Sequence, residues 1–343
     1  MTKEDFRDVS QQAIVADIGG TNARFSCVNL DDLTLSQIAV YPCANFLNLE
    51  EALQCYQRDH HLLTIKHVAI AVASLVSGDR LTMTNLSWEF SISDLKHRLG
   101  LLSLEVLNDF VAQAMSLPRL SEEEKIQIGS GRVEANHNRV VLGPGTGLGV
   151  AYLVPTERGL MPIASEGGHV EWAPHTSQEW FIKQFLAKQY DYVSVERILS
   201  GPGLENIYGA LAAFWGKKEV FLSAAEITDR ALSKSCPLAE ATVQQFLASL
   251  GSFSADCVFS LNALGGVYLT GGILPKLLPL IEGSEFRARF DVKGRRSSFH
   301  QHIVPTFVFN IEWPGLIGAA GYLKQKWLYR HSRDLFFIDA GSV

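Results

Sequence analysis

Two glycine-rich turns carry the first chemistry that the residue types suggest. Asp17-Ile18-Gly19-Gly20-Thr21 follows one apolar run near the start of the chain, and Gly143-Pro144-Gly145-Thr146-Gly147 follows another. Glycine permits positive φ and a close approach of ligand to backbone, and successive N–H groups that point into one concavity bind phosphate oxygens. Thr21 adds a hydroxyl donor, and the Asp17 carboxylate is suited to holding Mg²⁺ directly or through water. Either turn alone is also explained as a plain hairpin, but the occurrence of two similar turns favours phosphate binding.

Two other glycine motifs are excluded by the spacing. The chain contains no G-x-x-x-x-G-K-[ST] sequence, which rules out a P-loop enzyme. Gly143, Gly145, Gly147 and Gly149 are spaced by twos and lead into a strand-like run. A dinucleotide-binding fingerprint leads into a helix instead, so a Rossmann domain is not expected.

An acidic residue at a strand-to-helix junction is the candidate general base. Asn108-Asp109 lies where the apolar run from Leu104 to Leu107 gives way to helical spacing. Catalytic residues of open α/β sheets lie at such junctions, and a carboxylate there can accept the proton of an attacking hydroxyl during phosphoryl transfer. Asp is also a common helix N-cap, and taken alone the position favours the cap over the base.

A polar turn and a short acidic segment are candidates for binding a polyol. Glu166-Gly167-Gly168-His169 places an acid and an imidazole on one tight turn, and Glu196 lies at a short helical start. One acid and one histidine are too few ligands for a zinc site, so the turn favours hydrogen bonding to sugar hydroxyls. Glu196 is also explained by the helix dipole, and Asn85 by ordinary turn formation.

The elements that must position these residues form two similar α/β halves. Asp17 to Val28 and Leu142 to Val154 both run strand, glycine turn, strand. The polar segment over residues 118–137 predicts the crossing between the halves. We expect a small domain of residues 1–119 and 310–343, to which the last helix returns, a large domain of residues 120–309, and a ligand cleft between them.

Hydrophobic periodicity predicts the individual elements. Helical spacing covers residues 49–59, 93–99 with Ser93 as the cap, 109–117, 178–189, 204–215, 224–233, 238–264 and 315–327. Strand patterns cover residues 13–18, 23–30, 36–42, 67–73, 104–107, 140–142, 150–154, 267–270 and 303–309.

Composition excludes several classes of protein. A net charge of −6 and scattered basic residues argue against nucleic-acid binding, which needs a basic patch; the short cluster from Lys293 to Arg296 is interpreted as a solvated loop. No apolar run reaches the roughly 18 residues of a membrane span, and the charged opening stretch from Met1 to Gln12 is not a signal peptide. Five cysteines without a Cys-x-x-Cys pair predict reduced thiols in a cytoplasmic protein.

The chain resembles the bacterial glucokinase family, within the superfamily of actin, sugar kinases and heat-shock chaperones. The motifs that carry this resemblance are Asp17 to Phe25, Thr84-Asn85 with Trp88, Asn108-Asp109-Phe110, Gly143 to Gly149, Glu166 to His169, Glu196-Arg197, Leu199 to Leu204, Gly271-Gly272-Ile273 and Pro314-Gly315-Leu316. Where that family usually has Gly-Pro, this chain has Ser74-Leu75. Such a difference affects the shape of a loop near the expected sugar site.

The resemblance implies a duplicated actin-like ATPase (ribonuclease H-like) fold and transfer of phosphate from ATP to the 6-hydroxyl of D-glucose, with Asp109 as general base. It implies a homodimer, and Mg²⁺ held at Asp17. The implied sugar-binding residues are Asn85, Asn108, Asp109, Glu166, His169 and Glu196. The implied ATP-binding residues are Ala16, Asp17, Ile18, Gly19, Gly20, Thr21, Asn22, Gly145, Thr146, Gly147, Gly271 and Gly272.

Three alternatives remain open at the level of sequence. The first is a kinase of another hexose, such as fructose, mannose or an amino sugar. The second is a non-catalytic sugar or nucleotide sensor, although a DNA-reading form needs a basic helix-turn-helix extension and an inactive form is expected to lack Asp109. The third, a nucleotide-driven chaperone or filament protein, does not explain the polar residues around Asp109 and Glu166.

Overall fold

The computed structural model of the chain describes residues 12–218, 221–292 and 304–338. They fall into two compact units, the first within Met1–Leu120 and Glu312–Val343, the second within Ser121–Ile311. The basic cluster from Lys293 to Arg296 and nearly all of the opening stretch lie outside the described residues. No helix of the described ranges combines the length and the apolar character needed to cross a membrane.

The first unit is built on a five-stranded sheet of order β3-β2-β1-β4-β7. Its strands, with a separate β5–β6 hairpin, are β1 (Gln12–Ile18), β2 (Asn22–Asn29), β3 (Leu35–Pro42), β4 (His67–Val72), β5 (Arg80–Thr82), β6 (Glu89–Ser91) and β7 (Ser103–Asn108). The first three strands form an antiparallel meander, and β4 and β7 continue the sheet in parallel with β1. Parallel neighbours place Ile18 and Asn108, at the ends of β1 and β7, along the same edge of the sheet.

Successive side chains of β1 point to opposite sides of the sheet. Because they are apolar on both sides, helices cover both faces. Ile14, Ala16 and Ile18 belong to one apolar cluster, and Ala13 and Val15 to another. The helices of the unit are α1 (Leu49–Asp59), α2 (Ile92–Arg98), α3 (Asp109–Ser116) and, from the end of the chain, α10 (Pro314–Ile338). Buried residues of α3 and α10 complete the second cluster, so the C-terminal helix is part of the core of the first unit.

The second unit repeats this topology. Its strands are β8 (Lys125–Ile128), β9 (Arg139–Pro144), β10 (Leu148–Thr156), β11 (Gly159–Ser165), β12 (Val267–Leu269) and β13 (Thr306–Phe309), in the order β11-β10-β9-β12-β13-β8. A meander of β9, β10 and β11 is extended by β12 and β13, which run parallel to β9. The order meander then two parallel strands therefore occurs twice, which confirms the predicted duplicated actin-like fold.

The helices of the second unit enclose one large apolar cluster. They are α4 (Ser177–Leu186), α5 (Gly201–Phe214), α6 (Ala224–Leu232), α7 (Pro237–Leu261), α8 (Leu274–Ile281) and α9 (Phe286–Asp291). The 25-residue helix α7 is buried along most of its length, which explains why apolar and small residues predominate in its sequence.

Several local expectations differ from the structure, among them the C-terminal helix, which runs to Ile338 instead of ending near residue 327. Ser91, not Ser93, caps α2, since its side chain accepts the N–H of Asp94. Part of the polar segment over residues 118–137 is the short edge strand β8, which two isoleucines alternating with polar residues are enough to form. The predicted strand over 303–309 begins at Thr306, and residue 303 lies outside the described ranges.

Candidate active site

The first glycine turn joins β1 to β2 in the first unit. It is closed by a hydrogen bond from the N–H of Gly19 to the carbonyl of Asn22, at 3.0 Å. Neither Gly19 nor Gly20 has a positive φ, so the expectation that left-handed backbone explains these glycines is wrong. Space explains Gly20 instead, because a Cβ atom there would lie 2.8 Å from the Cβ of Asn85. The turn and the Asn85 loop therefore pack directly against each other.

Cys43 supports this turn from beneath, a role that the sequence alone did not indicate. Its N–H donates to the carbonyl of Thr21 at 2.8 Å, and its thiol lies 3.6 Å from the carbonyl oxygen of Gly19. The predicted ATP-binding residues Ala16 and Ile18 are fully buried. Their side chains belong to the core and are not available for contact with a ligand.

The Asp17 carboxylate is enclosed by residues from both ends of the chain. Arg24 Nη1 lies 3.6 Å from Asp17 Oδ2, and the side chain of Asp17 is 23% exposed. The guanidinium of Arg24 lies over the Trp313 ring, 5.6 Å from its centroid. A Cβ atom on Gly315 would lie 2.9 Å from Asp17 Cγ, so glycine at the start of α10 makes room for the carboxylate. Burial raises the pKa of Asp17, and Arg24 partly opposes that effect.

Asp109 is the first residue of α3, and it is not the helix cap. Asn108 fills that role, since its Oδ1 accepts the N–H groups of Phe110 and Val111. The alternative in which Asp109 is explained as an N-cap is therefore wrong. Burial, followed by the negative charge of Asp17, raises the pKa of Asp109 to about 7. A carboxyl group with such a pKa is matched to proton transfer near neutral pH.

The loop after β4 holds Asn108 and the Asn85 loop together through Ser74. The buried hydroxyl of Ser74 accepts the N–H of Thr84 at 2.8 Å, while the Asn108 amide donates to the carbonyl of Ser74 at 3.3 Å. Ser74-Leu75 stands where the family usually has Gly-Pro. The Ser74 side chain therefore accepts a hydrogen bond that a glycine or proline side chain could not. Because Asn108 is engaged at both ends of its amide, it acts first as a positioning residue.

The carboxylate of Asp17, beside that of Asp109, is the group in the first unit that can be tested for a fit to Mg²⁺. Asp17 lies near enough to Asp109 for its charge to raise the pKa of Asp109. When both are ionised, their two negative charges exceed the one positive charge of Arg24, and a cation can balance the excess. Magnesium is usually bound by one or two protein carboxylates together with substrate phosphates and water. Within the described ranges, no three His, Cys, Asp or Glu side chains group to hold a metal, and this smaller set fits Mg²⁺ without them.

In the second unit, the other glycine turn lies beside Gly271. The turn is closed by the N–H of Gly145, which donates to the carbonyl of Gly147 at 2.8 Å. Gly271 has a φ of +90°, and a Cβ atom there would lie 2.5 Å from the carbonyl oxygen of Pro144. Both constraints require glycine at position 271. The structure therefore brings together two of the segments predicted to bind ATP, whereas Gly272 has open space around it.

The predicted sugar-binding residues of the second unit also lie together. Glu166 and His169 are 62% and 61% exposed, with Oε2 and Nε2 3.7 Å apart. His169 and Glu196 line one open cavity of about 460 Å³. Glu196 Oε2 accepts the N–H of Leu148 at 2.8 Å, immediately after the glycine turn. Acceptors and donors around an open cavity are suited to the hydroxyls of a sugar.

Together, the fold and these residues place the protein in the class of actin-like ATPase folds, with a glycine-rich turn between the first two strands of each meander. The family model named Glucokinase matches residues 14–326. The glucokinase of Yersinia enterocolitica is 38% identical and covers 93% of this chain and 98% of its own. The chain belongs to the glucokinase family.

Two further comparisons extend this finding. The crystal structure of a glucokinase from an Antarctic psychrotroph superposes with a TM-score of 0.84 at 36% identity, over 91% of this chain and 98% of that one. The bifunctional protein glk of Paraburkholderia xenovorans is 40% identical over 91% of this chain but only 49% of its own length. The chain thus spans about half the length of such bifunctional relatives.

Proposed function

We propose that this protein is an ATP-dependent glucokinase, which transfers the γ-phosphate of ATP to the 6-hydroxyl of D-glucose and releases glucose 6-phosphate and ADP. The observation that carries this proposal is Asp109, a carboxyl group with a pKa of about 7 in the same unit as a phosphate-type glycine turn. Membership of the glucokinase family supports both the donor and the acceptor.

In this proposal Asp109 accepts the proton of the 6-hydroxyl as its oxygen attacks the γ-phosphorus, and the bond to the ADP oxygen breaks. Proton transfer of this kind contributes about 10²–10⁴ to a rate. In each unit, the proposed donors to phosphate oxygens are backbone N–H groups other than the one that closes the glycine turn, namely those of Gly20 and Thr21 and those of Thr146 and Gly147. Gly271-Gly272 is proposed to contact the adenosine. Asp17, enclosed by Arg24 and Gly315, would hold Mg²⁺. When bound, Mg²⁺ neutralises negative charge on the phosphates.

The residues proposed to bind glucose are those that the family resemblance implies in each unit. Glu166, His169 and Glu196 contribute carboxylate and imidazole groups, and Asn85 contributes an amide from its exposed loop. A site that pairs each hydroxyl discriminates against sugars that lack one, by roughly 10⁴ in favourable cases. Such pairing supports a hexose, rather than an alcohol with few hydroxyls, as the acceptor of the phosphate.

Four finer properties are part of the same proposal, namely Mg²⁺ as the metal, a homodimer, a cytoplasmic location and a place in glycolysis. The five cysteines all lie in the described ranges and all are free thiols, which supports a reducing compartment. The dimer and the pathway rest on the family resemblance. Sedimentation analysis tests the dimer, and a single species with the mass of one chain would contradict it.

The role of Asp109 is tested by Asp109→Ala. We expect turnover with glucose to fall by about 10²–10⁴ because the proton acceptor is lost, while ADP binding measured by calorimetry persists. Asp31→Ala, which removes an exposed acid of the same unit, is the matched control and is expected to retain full turnover. Near-normal turnover in Asp109→Ala would remove Asp109 from the mechanism.

A further inference from the structure

Leu148 connects the second glycine turn to both segments that carry sugar-binding residues. It is the first residue of β10 after the turn and is 6% exposed. Its N–H donates to Glu196 Oε2 at 2.8 Å. Its carbonyl oxygen lies so close to Gly168 that any Cβ atom at position 168 would overlap it. The turn and the two sugar segments therefore meet at one residue of the backbone.

Glu196 is packed against the glycine turn as well as bonded to it. A Cβ atom on Gly147 would lie 2.5 Å from Glu196 Oε2, which is closer than van der Waals contact allows. Glycine at position 147, whose φ is not positive, is thus explained by the approach of this carboxylate. The sequence pattern suggested a role in phosphate contact, whereas the structure adds a second reason within the protein itself.

The segment that follows Glu196 holds the other end of the same turn. The N–H of Gly201 donates to the carbonyl of Gly145 at 2.8 Å. Ser200 links this contact to Glu196, since its hydroxyl donates to the Glu196 carbonyl at 2.7 Å and accepts the N–H of Gly203 at 3.0 Å. The start of α5 and the Glu196 side chain therefore hold the turn between them.

We infer that Glu196 is a positioning residue for the second phosphate turn in addition to its proposed contact with the sugar. This inference rests on the proposed function, because it assigns one carboxylate to both substrates. A carboxylate accepts several hydrogen bonds through its two oxygens. Oε2 holds the turn through Leu148, and Oε1 is the atom suited to a sugar hydroxyl in the cavity that Glu196 shares with His169.

Nucleotide binding in the absence of sugar separates this role from that of a simple sugar ligand. Hydrogen bonds to a charged acceptor are about twice as strong as neutral ones, so loss of the carboxylate loosens the turn before any sugar arrives. We expect Glu196→Ala to raise the Kd for ADP, measured by calorimetry without glucose, by about tenfold or more. Glu196→Gln keeps a carbonyl acceptor for the Leu148 N–H and is expected to show a smaller increase.

His169→Ala is the matched control, because His169 lines the same cavity but lies on the solvent side, 61% exposed. Both Glu196→Ala and His169→Ala are expected to raise the KM for glucose, and only the former to raise the Kd for ADP. An unchanged Kd for ADP in Glu196→Ala, with a raised KM for glucose, would overturn the inference and leave Glu196 as a sugar ligand alone.

Two further outcomes are distinguishable. If Glu196→Ala does not fold, as judged by circular dichroism, Glu196→Gln decides the question, and a Kd for ADP equal to that of the wild type then counts against the inference. If the wild-type chain binds ADP but phosphorylates no hexose, the proposed function fails, while a raised Kd for ADP in Glu196→Ala still supports the positioning role.

Discussion

Asp109 is suited to catalysis because its neighbours carry out the structural work of the junction. Asn108 caps α3 and is tied to Ser74, so the Asp109 carboxylate does not cap the helix, although it accepts the N–H of its neighbour Phe110 at 3.0 Å. Hydrogen bonds from the Phe110 N–H, from its own N–H and from the Asn108 side chain lower the pKa of Asp109, but burial and the charge of Asp17 outweigh them. The result is a carboxyl group that changes protonation within the physiological range.

This environment predicts the pH dependence of the reaction. Because the pKa of Asp109 is raised to about 7, the carboxyl group is protonated below that pH and cannot accept a proton. We expect kcat/KM for glucose to fall about tenfold per pH unit below about pH 7 and to level off above it. Initial rates from pH 5 to 9, in buffers of constant ionic strength, measure this. A level profile down to pH 5 would show that the base has an ordinary pKa.

At this scale the sequence predicted a set of candidate site residues but not the contacts that hold them in place. Glycine at positions 20 and 147 is required by Asn85 and Glu196, contacts that connect residues far apart in the chain. Arg24, Cys43 and Ser74 were missed because their roles depend on such contacts. The Pro314-Gly315 helix start was the one local signal for the residues that enclose Asp17.

Among the elements, the close approach of α10 and α3 decides the structure of the first unit. Gly318 of α10 faces α3 so closely that a Cβ atom would overlap the carbonyl oxygen of Ala112. Leu316, Ala319, Ala320 and Leu323 of α10 are buried against the sheet on which α3 lies. Small residues at this crossing thus allow the C-terminal helix to complete the core.

Gly318→Ala tests this packing. In an exposed helix this replacement stabilises by about 1 kcal/mol, but overpacking here is expected to reduce the free energy of unfolding by about 1–3 kcal/mol, as measured by urea denaturation. Gly321→Ala, whose Cβ atom would lie 3.3 Å from the Met115 carbonyl oxygen, is the control on the same helix and is expected to cost less. A stabilised Gly318→Ala would contradict the close approach.

Elements with strong periodicity could be predicted closely, and short or paired ones could not. Helix α1 has the predicted bounds, because its apolar stripe and its Asn48 cap are both local. Strands β8 and β11 were missed. The first has only four residues, in which isoleucines alternate with polar residues, and the second has several exposed or partly exposed positions. Such short or half-exposed segments become strands only by pairing with a neighbouring strand. The cap of α2 was misplaced by two residues because three serines occur close together.

For the whole molecule, duplication is the feature that the sequence revealed best. The repeated strand, glycine turn and strand reappear as β1–β2 and β9–β10, each leading a meander that two parallel strands extend. The sequence could not show how the two copies differ. In the first, the glycine turn is held by Cys43 and Asn85, and in the second by Glu196 and Gly201.

The most direct test of the proposed glucokinase activity is a coupled assay of the purified chain with ATP, Mg²⁺ and a panel of hexoses. We expect kcat/KM for D-glucose to exceed that for fructose, mannose and glucosamine, because the acceptors of the site pair with a particular set of hydroxyls. A clear preference for another hexose would contradict the assignment of glucose. Failure to form ADP with any of the hexoses would contradict the proposal that the protein is a hexose kinase.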